Sequence, residues 1–209
     1  DNPSAINAIY MCCNCNACRI WCPMDISTGD MLVTARWEME KRDLLPEKVK
    51  IKRSFLEGNG TIYEENVFKK HAAEIDVNDA KPDVFYYMGC NSLKSRLQSV
   101  KDHIAILKAA GLNVETKMMD RVCCGSPIKN LGAKKTAIEL GKKNAALLND
   151  SKAKYIISDC PGCSTMLSKG IEEIDDKTQI KKEIMHSSDF FLKLINEGKI
   201  KLTNPVNET

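Results

Sequence analysis

Several things are scarce in this chain, and each scarcity excludes something. No stretch of the 209 residues approaches 18 consecutive apolar positions, so none reads as a membrane-spanning helix. The residues as given hold no secretory signal pattern, although they open on Asp1 rather than Met. The net charge is only +3, with both signs interspersed, which is too weak a balance to argue for nucleic acid. The longest basic stretch, Lys48 to Arg53, reads as a solvated helix face. No nucleotide fingerprint is present either: Gly58-Asn59-Gly60 is too short and follows no strand, so no flavin or nicotinamide site is read. What the chain has in excess is cysteine, ten in all. Without a secretory pattern these argue against a disulfide framework. In a reducing cytosol, clustered thiols hold metal or carry redox chemistry, so the expected location is cytoplasmic, with any membrane association made through a partner.

The cysteines fall into two sets. The first is Cys12-Cys13-Asn14-Cys15-Asn16-Ala17-Cys18-Arg19-Ile20-Trp21-Cys22-Pro23. Skipping Cys13, it reads C-x2-C-x2-C-x3-C-P, the bacterial ferredoxin spacing for a [4Fe–4S] cluster. A tight loop can aim Cys12, Cys15 and Cys18 at three irons of one cube, and zinc has no use for this spacing plus the proline. Cys22 either completes this cluster or serves a companion run upstream of Asp1. Cys13 is the odd thiol and reads as a packed or surface residue.

Helical signals follow. Ser27 can cap a helix whose first turn carries Asp30 and whose face shows Leu32, Ala35 and Met39, running to about Leu45 before Pro46. A second helix covers about Lys48 to Glu57 and a third roughly Glu64 to Ile75, so residues 1–80 read as a small helical domain around one cluster. Val77 to Pro82 reads as a linker.

Residues 81–209 change character. Apolar runs at Asp83–Met88, Val114–Met118 and Tyr155–Asp159 alternate with helical stripes. The stripes are Leu93, Leu97, Val100, Ile104 and Leu107; then Ile138, Gly141, Ala145 and Leu148; then Leu167, Ile171 and Ile174. A final helix capped by Ser187, Ser188 or Asp189 carries Phe191, Leu194 and Ile195 up to Gly198. That alternation predicts an α/β unit on a parallel sheet. His71 reads as a surface residue, His103 as structural, and His186 as packing or capping.

The second cysteine set follows the three strands: Cys90, then Cys123-Cys124-Gly125, then Cys160-Pro161-Gly162-Cys163. Parallel sheets bind ligands beyond the carboxyl ends of their strands, so residues far apart in sequence should meet on one rim. Adjacent cysteines cannot face the same way along a strand, but in a loop freed by Gly125 both can face one site. Three readings compete: an iron–sulfur cluster, with a fifth thiolate that bridges or marks a cluster other than a simple cube; a structural zinc held by four of the five; and a catalytic dithiol without metal.

Cys90, Cys123-Cys124-Gly125 and Cys160-Pro161-Gly162-Cys163 resemble the cysteine-rich CCG domain of heterodisulfide reductases. Similar domains occur in iron–sulfur subunits of glycolate oxidase, of lactate utilisation, of anaerobic glycerol-3-phosphate dehydrogenase and of thiol:fumarate reductase. The run through Cys12, Cys15, Cys18 and Cys22 fits the same family's layout, and the likeness covers nearly the whole chain. It implies a small α-helical ferredoxin-like [4Fe–4S] domain (1–80) followed by an α/β parallel-sheet CCG domain with a C-terminal helix and tail (81–209). By carry-over, Cys12, Cys15, Cys18 and Cys22 would hold a cubane cluster that feeds electrons in. Cys90, Cys123, Cys124, Cys160 and Cys163 would be the ligands, and the catalytic groups, of a second, noncubane [4Fe–4S] cluster that reduces a disulfide. Some family members bind zinc in this domain, so zinc survives as an alternative.

The resemblance further implies partner redox subunits — a flavoprotein, a ferredoxin-like protein or a cytochrome — with a small thiol or disulfide as substrate, and no nucleic acid. An alternative role is electron transfer for a flavin-dependent glycolate or lactate dehydrogenase. The family usually carries two ferredoxin runs and two CCG domains, whereas one of each is present here. With no Met at the start and an end at Asn204-Pro205-Val206-Asn207, about where another CCG domain would begin, the expectation is part of a longer polypeptide or one chain of a split assembly.

Overall fold

A computed structural model describes residues 2–203; the stretch from Asn204 to Asn207, where a second cysteine-rich domain was expected to begin, lies outside the described residues. Five helices come first: α1 Pro3–Tyr10, α2 Ala17–Trp21, α3 Thr28–Lys41, α4 Glu47–Asn59 and α5 Val67–Ile75. Their starts obey capping chemistry. Asn2, Ser27 and Asn66 each accept from a backbone N–H of the first turn, and Pro46 precedes α4. α3 ends at Lys41, short of the expected Leu45, because Asp43 turns the chain through φ 56°. Of the expected stripe Met39 is buried, but Leu32 and Ala35 are only half-buried and the next residues, Val33 and Arg36, are buried instead.

The remainder is α/β, as the alternation predicts. Strands β1 Val84–Tyr86, β2 Val114–Glu115, β3 Tyr155–Ser158 and β4 Ile184–His186 form one sheet in the order β2-β1-β3-β4. All neighbours run parallel, with Val84 opposite Val114 and Tyr155, and Ile156 opposite Ile184. The first three strands are shorter than the apolar runs that announce them. β4 was not foreseen: Ile-Met-His is half-buried at a sheet edge and its sequence neighbours are Lys181, Lys182 and Glu183.

Between the strands lie α6 Cys90–Ser95, α7 Leu97–Ala109, α8 Ser126–Asn130, α9 Lys134–Asp150 and α10 Pro161–Thr165, continued by a wide turn over Met166–Gly170; α11 Ser187–Asn196 closes the fold. The single helix expected after Cys90 is broken in two, and the one expected from about Leu131 to Leu148 is preceded by an unforeseen short helix, α8. Arg96, at φ −143° and ψ 42°, separates α6 from α7, and Gly132, at φ +105°, separates α8 from α9. Gly132 is required as glycine: a Cβ there would sit 2.8 Å from the Arg36 carbonyl oxygen.

Val77 to Pro82, read as a linker, is tied to the sheet edge. Thr116 N–H donates to the Val77 carbonyl at 2.8 Å, and Asp79 accepts from Val114 N–H at 2.6 Å. Met39, Leu45, Val49, Leu56, Val67, Phe68 and Ile75 from the helical part share one buried cluster with the strands and α7–α11. Among the described residues no helix is long and apolar enough to cross a membrane.

Candidate metal centres

The sheet order fixes where a site can form. The chain leaves β1 for β2 on one side and reaches β3 on the other, so the crevice beyond the carboxyl ends of β1 and β3 is the topological switch point, where α/β sheets bind ligands. Cys90 opens α6 four residues after β1, and Cys160 stands between β3 and α10. Asp159 joins the two exits: its carboxylate accepts from Gly89 N–H at 2.8 Å and from the Tyr86 hydroxyl at 3.1 Å. The approach is close enough that a Cβ on Gly89 would lie 2.9 Å from the Cβ of Cys160.

Cys123 and Cys124 arrive by a longer route. After β2 the chain makes a single turn at Met118–Asp120, and Cys123 N–H then donates to the Gly60 carbonyl at 2.8 Å. Asn144 of α9 holds this loop from below, donating to the Cys123 carbonyl while accepting from the Tyr87 hydroxyl, each at 2.9 Å. Gly125 takes φ +90° and starts α8, which lets both cysteines stay on the inner side.

The five thiols act on one another's acidity in the order Cys90, Cys123, Cys124, Cys163, Cys160. Four are buried and Cys160 is half-buried. Their acidities diverge, three thiols being raised and two lowered. The neighbouring Cys123 thiol and burial raise Cys90, and Cys124 raises Cys123. Cys124 is lowered by the thiols of Cys123 and Cys163, with help from Ser126 N–H. Cys163 is raised by its two neighbours, and Cys160 is lowered to about 6 by Cys163 and by backbone N–H groups of α10. Full ionisation of all five would crowd like charges in a buried space and would require a cationic centre. Among the described residues, no three Cys, His, Asp or Glu converge tightly enough to hold one metal ion. Five soft sulfurs exceed the four that a tetrahedral zinc takes, and they fit a multi-iron cluster.

The first set lies in the loop between α1 and α3. Asn14 and Asn16 both take φ 57°, the left-handed turn that Asn tolerates, and this reverses the chain around Cys15. Cys12 Sγ accepts from Asn14 N–H at 3.4 Å. Cys15 is lowered by Ala17 N–H and then by the Cys13 thiol; Cys18 is lowered by the Thr28 hydroxyl and then by backbone N–H groups of Gly29, Thr28 and Arg19. Donors aimed at sulfur in this way suit thiolate ligands. Cys13, Cys15 and Cys18 are exposed and Cys12 and Cys22 half-buried, and among the described residues these cysteines do not close on a common centre. Gly29 of α3 presses on this loop, where a Cβ would lie 2.3 Å from Asn14 Oδ1.

Sequence reasoning did not single out the parts that join the two sets. Trp37 Nε1 donates to the Lys129 carbonyl at 3.0 Å, an Arg36 NH group to Asn130 at 2.7 Å, and the Tyr10 hydroxyl to Leu131 at 2.9 Å. These are successive carbonyls at the carboxyl end of α8, groups a helix cannot satisfy internally. Arg36 also donates to the carbonyls of Ile9 at 2.8 Å and Cys12 at 2.7 Å, so one guanidinium holds both the first cysteine loop and the helix that follows Cys124. Arg121 and Asp159 were likewise unforeseen; an Asp ending an apolar strand just ahead of Cys-Pro was the only trace the sequence offered. His103, stacked on Tyr86 and bonded near Ser99 and Ser187, is structural as expected, and His186 caps α11. His71 is half-buried rather than a surface residue.

Residues 84–168 match the family model of the CCG cysteine-rich domain. Over 96% of its length the chain is 23% identical to a dihydromethanophenazine:CoB--CoM heterodisulfide reductase subunit from Methanosarcina barkeri, of which 50% is covered. The like-named subunit from Methanosarcina mazei is 22% identical over 96% of this chain and 50% of its own length. The EtfAB:quinone oxidoreductase of Syntrophomonas wolfei is 25% identical over 95% of this chain and 29% of its own length. The chain thus spans about half the length of the reductase subunits it matches. No solved structure matches it.

Proposed function

A chain that carries a CCG cysteine-rich domain behind a ferredoxin-spaced loop is, we propose, the iron–sulfur part of a heterodisulfide-reductase-like oxidoreductase that reduces a disulfide. On this reading residues 1–80 and 81–209 are two functional regions over a common core. Cys12, Cys15, Cys18 and Cys22 hold a cubane [4Fe–4S] cluster. Cys90, Cys123, Cys124, Cys160 and Cys163 hold the second, noncubane cluster. Bound clusters of this kind supply one-electron transfer.

The observation that carries the reading is the meeting of five thiols from three separate loops at the switch point of the sheet. The chain's own residues do three things there. Asp159 and Gly89 hold Cys90 and Cys160 together across the exits of β1 and β3. Asn144 and Gly60 fix the Cys123-Cys124 loop. Cys160, the least buried of the five, marks the side from which a small disulfide would approach. Reducing that disulfide takes up two electrons and two protons, and the electrons enter through the exposed loop of Cys15 and Cys18. Partners are further redox subunits (a flavoprotein, a ferredoxin-like protein or a cytochrome), and the chain works in the cytoplasm.

The match to an EtfAB:quinone oxidoreductase favours a second reading, a pure electron-transfer segment for a flavin-dependent partner. Iron, zinc and acid-labile sulfide per chain, measured on anaerobically prepared protein, test the first. About eight irons are expected, four per cluster. About four irons with one zinc would overturn the disulfide-reducing reading. Addition of a small disulfide to the loaded protein then separates the two: a change in the spectrum of the second cluster supports reduction, and none supports relay.

A further inference from the structure

Arg121 is 2% exposed, yet among the described residues no carboxylate lies within ion-pair distance of it. A buried charge without an opposite charge is costly, and such charges are ordinarily paired or held beside a metal centre. Its guanidinium lies 3.6 Å over the ring of Tyr87, with Phe68 at 5.1 Å and Phe85 at 5.9 Å. It donates to the Met88 carbonyl at 2.8 Å and, more weakly, to that of Tyr86 at 3.4 Å, while its Nε has no partner. Every group it touches therefore belongs to the segment leading into Cys90 or to the wall behind it, and Arg121 itself stands two residues before Cys123. Tyr87, on which it stacks, donates its hydroxyl to the Val122 carbonyl at 2.9 Å, so the ring under the guanidinium is anchored on the residue just before Cys123.

Resting on the proposed function above, we infer that Arg121 is the resident counter-cation of the five-thiol site, a positioning residue whose buried positive charge makes an anionic sulfur-ligated centre there easier to reduce. Among the described residues no carboxylate neutralises it, and aromatic faces stabilise a cation without cancelling its charge. A guanidinium is suited to the place because it keeps its charge when buried.

The test compares Arg121→Met and Arg121→Lys with the wild type as anaerobically prepared full chains, reading the midpoint potential of each cluster by electron paramagnetic resonance during redox titration. The signal of the first cysteine set serves as internal reference. Arg121→Met should lower the potential of the second centre by at least a tenfold change in its reduction equilibrium, 59 mV for one electron, and leave the reference signal unmoved. Arg121→Lys keeps the charge but cannot span both carbonyls; it should hold the potential within that margin while melting at a lower temperature. The Lys variant decides the matter even if the Met variant does not fold. A fall in its potential by 59 mV or more, or a Met variant with wild-type potential, would reduce Arg121 to a packing role. A wild-type chain carrying only about four irons would instead remove the reading on which the inference rests.

Discussion

Gly89→Ala isolates the thiol geometry from the fold. Gly89 has φ −70° and ψ 143°, extended backbone that alanine adopts without strain, so the substitution costs nothing through backbone conformation. What it costs is contact. The new methyl would stand 2.9 Å from Cys160 Cβ, inside the 3.4 Å at which ordinary contact begins, with Ser92 Oγ at 3.4 Å and Asp159 Oδ1 at 3.6 Å closing the other sides. Cys160 has to retreat from Cys90 by about half an ångström, and Asp159 cannot yield freely because it is bonded to Gly89 N–H and to Tyr86. Overpacking of this size costs roughly 1–3 kcal/mol, which a folded domain with about 5–15 kcal/mol in hand survives. A sulfur-ligated centre tolerates only about ±0.2 Å in its ligand distances. The variant should therefore keep its far-ultraviolet circular dichroism, unfold at a modestly lower urea midpoint, and fall from about eight irons per chain to about four. Gly58→Ala, where nothing lies within 4 Å, is the matched control; it should keep all its iron and gain up to about 1 kcal/mol from helix propensity. Full iron loading in Gly89→Ala would refute the claim that Cys90 and Cys160 serve one centre.

Other consequences can be measured with the same preparations. Gly132→Ala, which combines φ +105° with a Cβ 2.8 Å from the Arg36 backbone, should cost at least about 2–3 kcal/mol in chemical denaturation, more than strain alone; a neutral result would mean that the α8–α9 junction is looser than described. Cys13→Ser should leave iron content unchanged, whereas Cys15→Ser should remove about four irons; equal losses would put Cys13 among the ligands. Asp79 is held below the usual carboxylate range first by Lys108 and then by Val114 N–H. Its stabilisation is therefore complete above the ordinary Asp pKa near 4 and fades as pH falls through the depressed value. Asp79→Asn should be less stable than wild type at pH 7 by roughly 1 kcal/mol, with the gap narrowing below about pH 4; a gap that persists unchanged there would assign the loss to something other than the carboxylate charge.

Period and punctuation made much of this structure legible in advance. The helical stripes found α4, α5, α7, α9 and α11, and three apolar runs found the strands that carry cysteines at their ends. The fourth strand escaped because it pairs at an edge, where three half-buried residues beside two lysines leave no apolar run. The rotation of α3 escaped because its buried face contains Arg36, which a hydrophobic pattern reads as solvent-facing. Both cysteine sets were visible as spacing, and a parallel sheet is enough to bring Cys90 and Cys160 to one rim. What spacing cannot reveal is the charge environment. Arg121 and Asp159 are single polar residues in the sequence until the fold stacks one on Tyr87 and bonds the other to Gly89 N–H across the exits of β1 and β3.

The carboxyl end of α8 has a consequence for timing. Tyr10, Arg36 and Trp37 grip three successive carbonyls there, and the guanidinium of Arg36 reaches back to Cys12 in the same stroke. With the two sulfur sets tied to one short helix, their separation is set by hydrogen bonds rather than by a free linker. On the proposed function, passage of an electron between them is then expected to proceed at a rate insensitive to solvent viscosity.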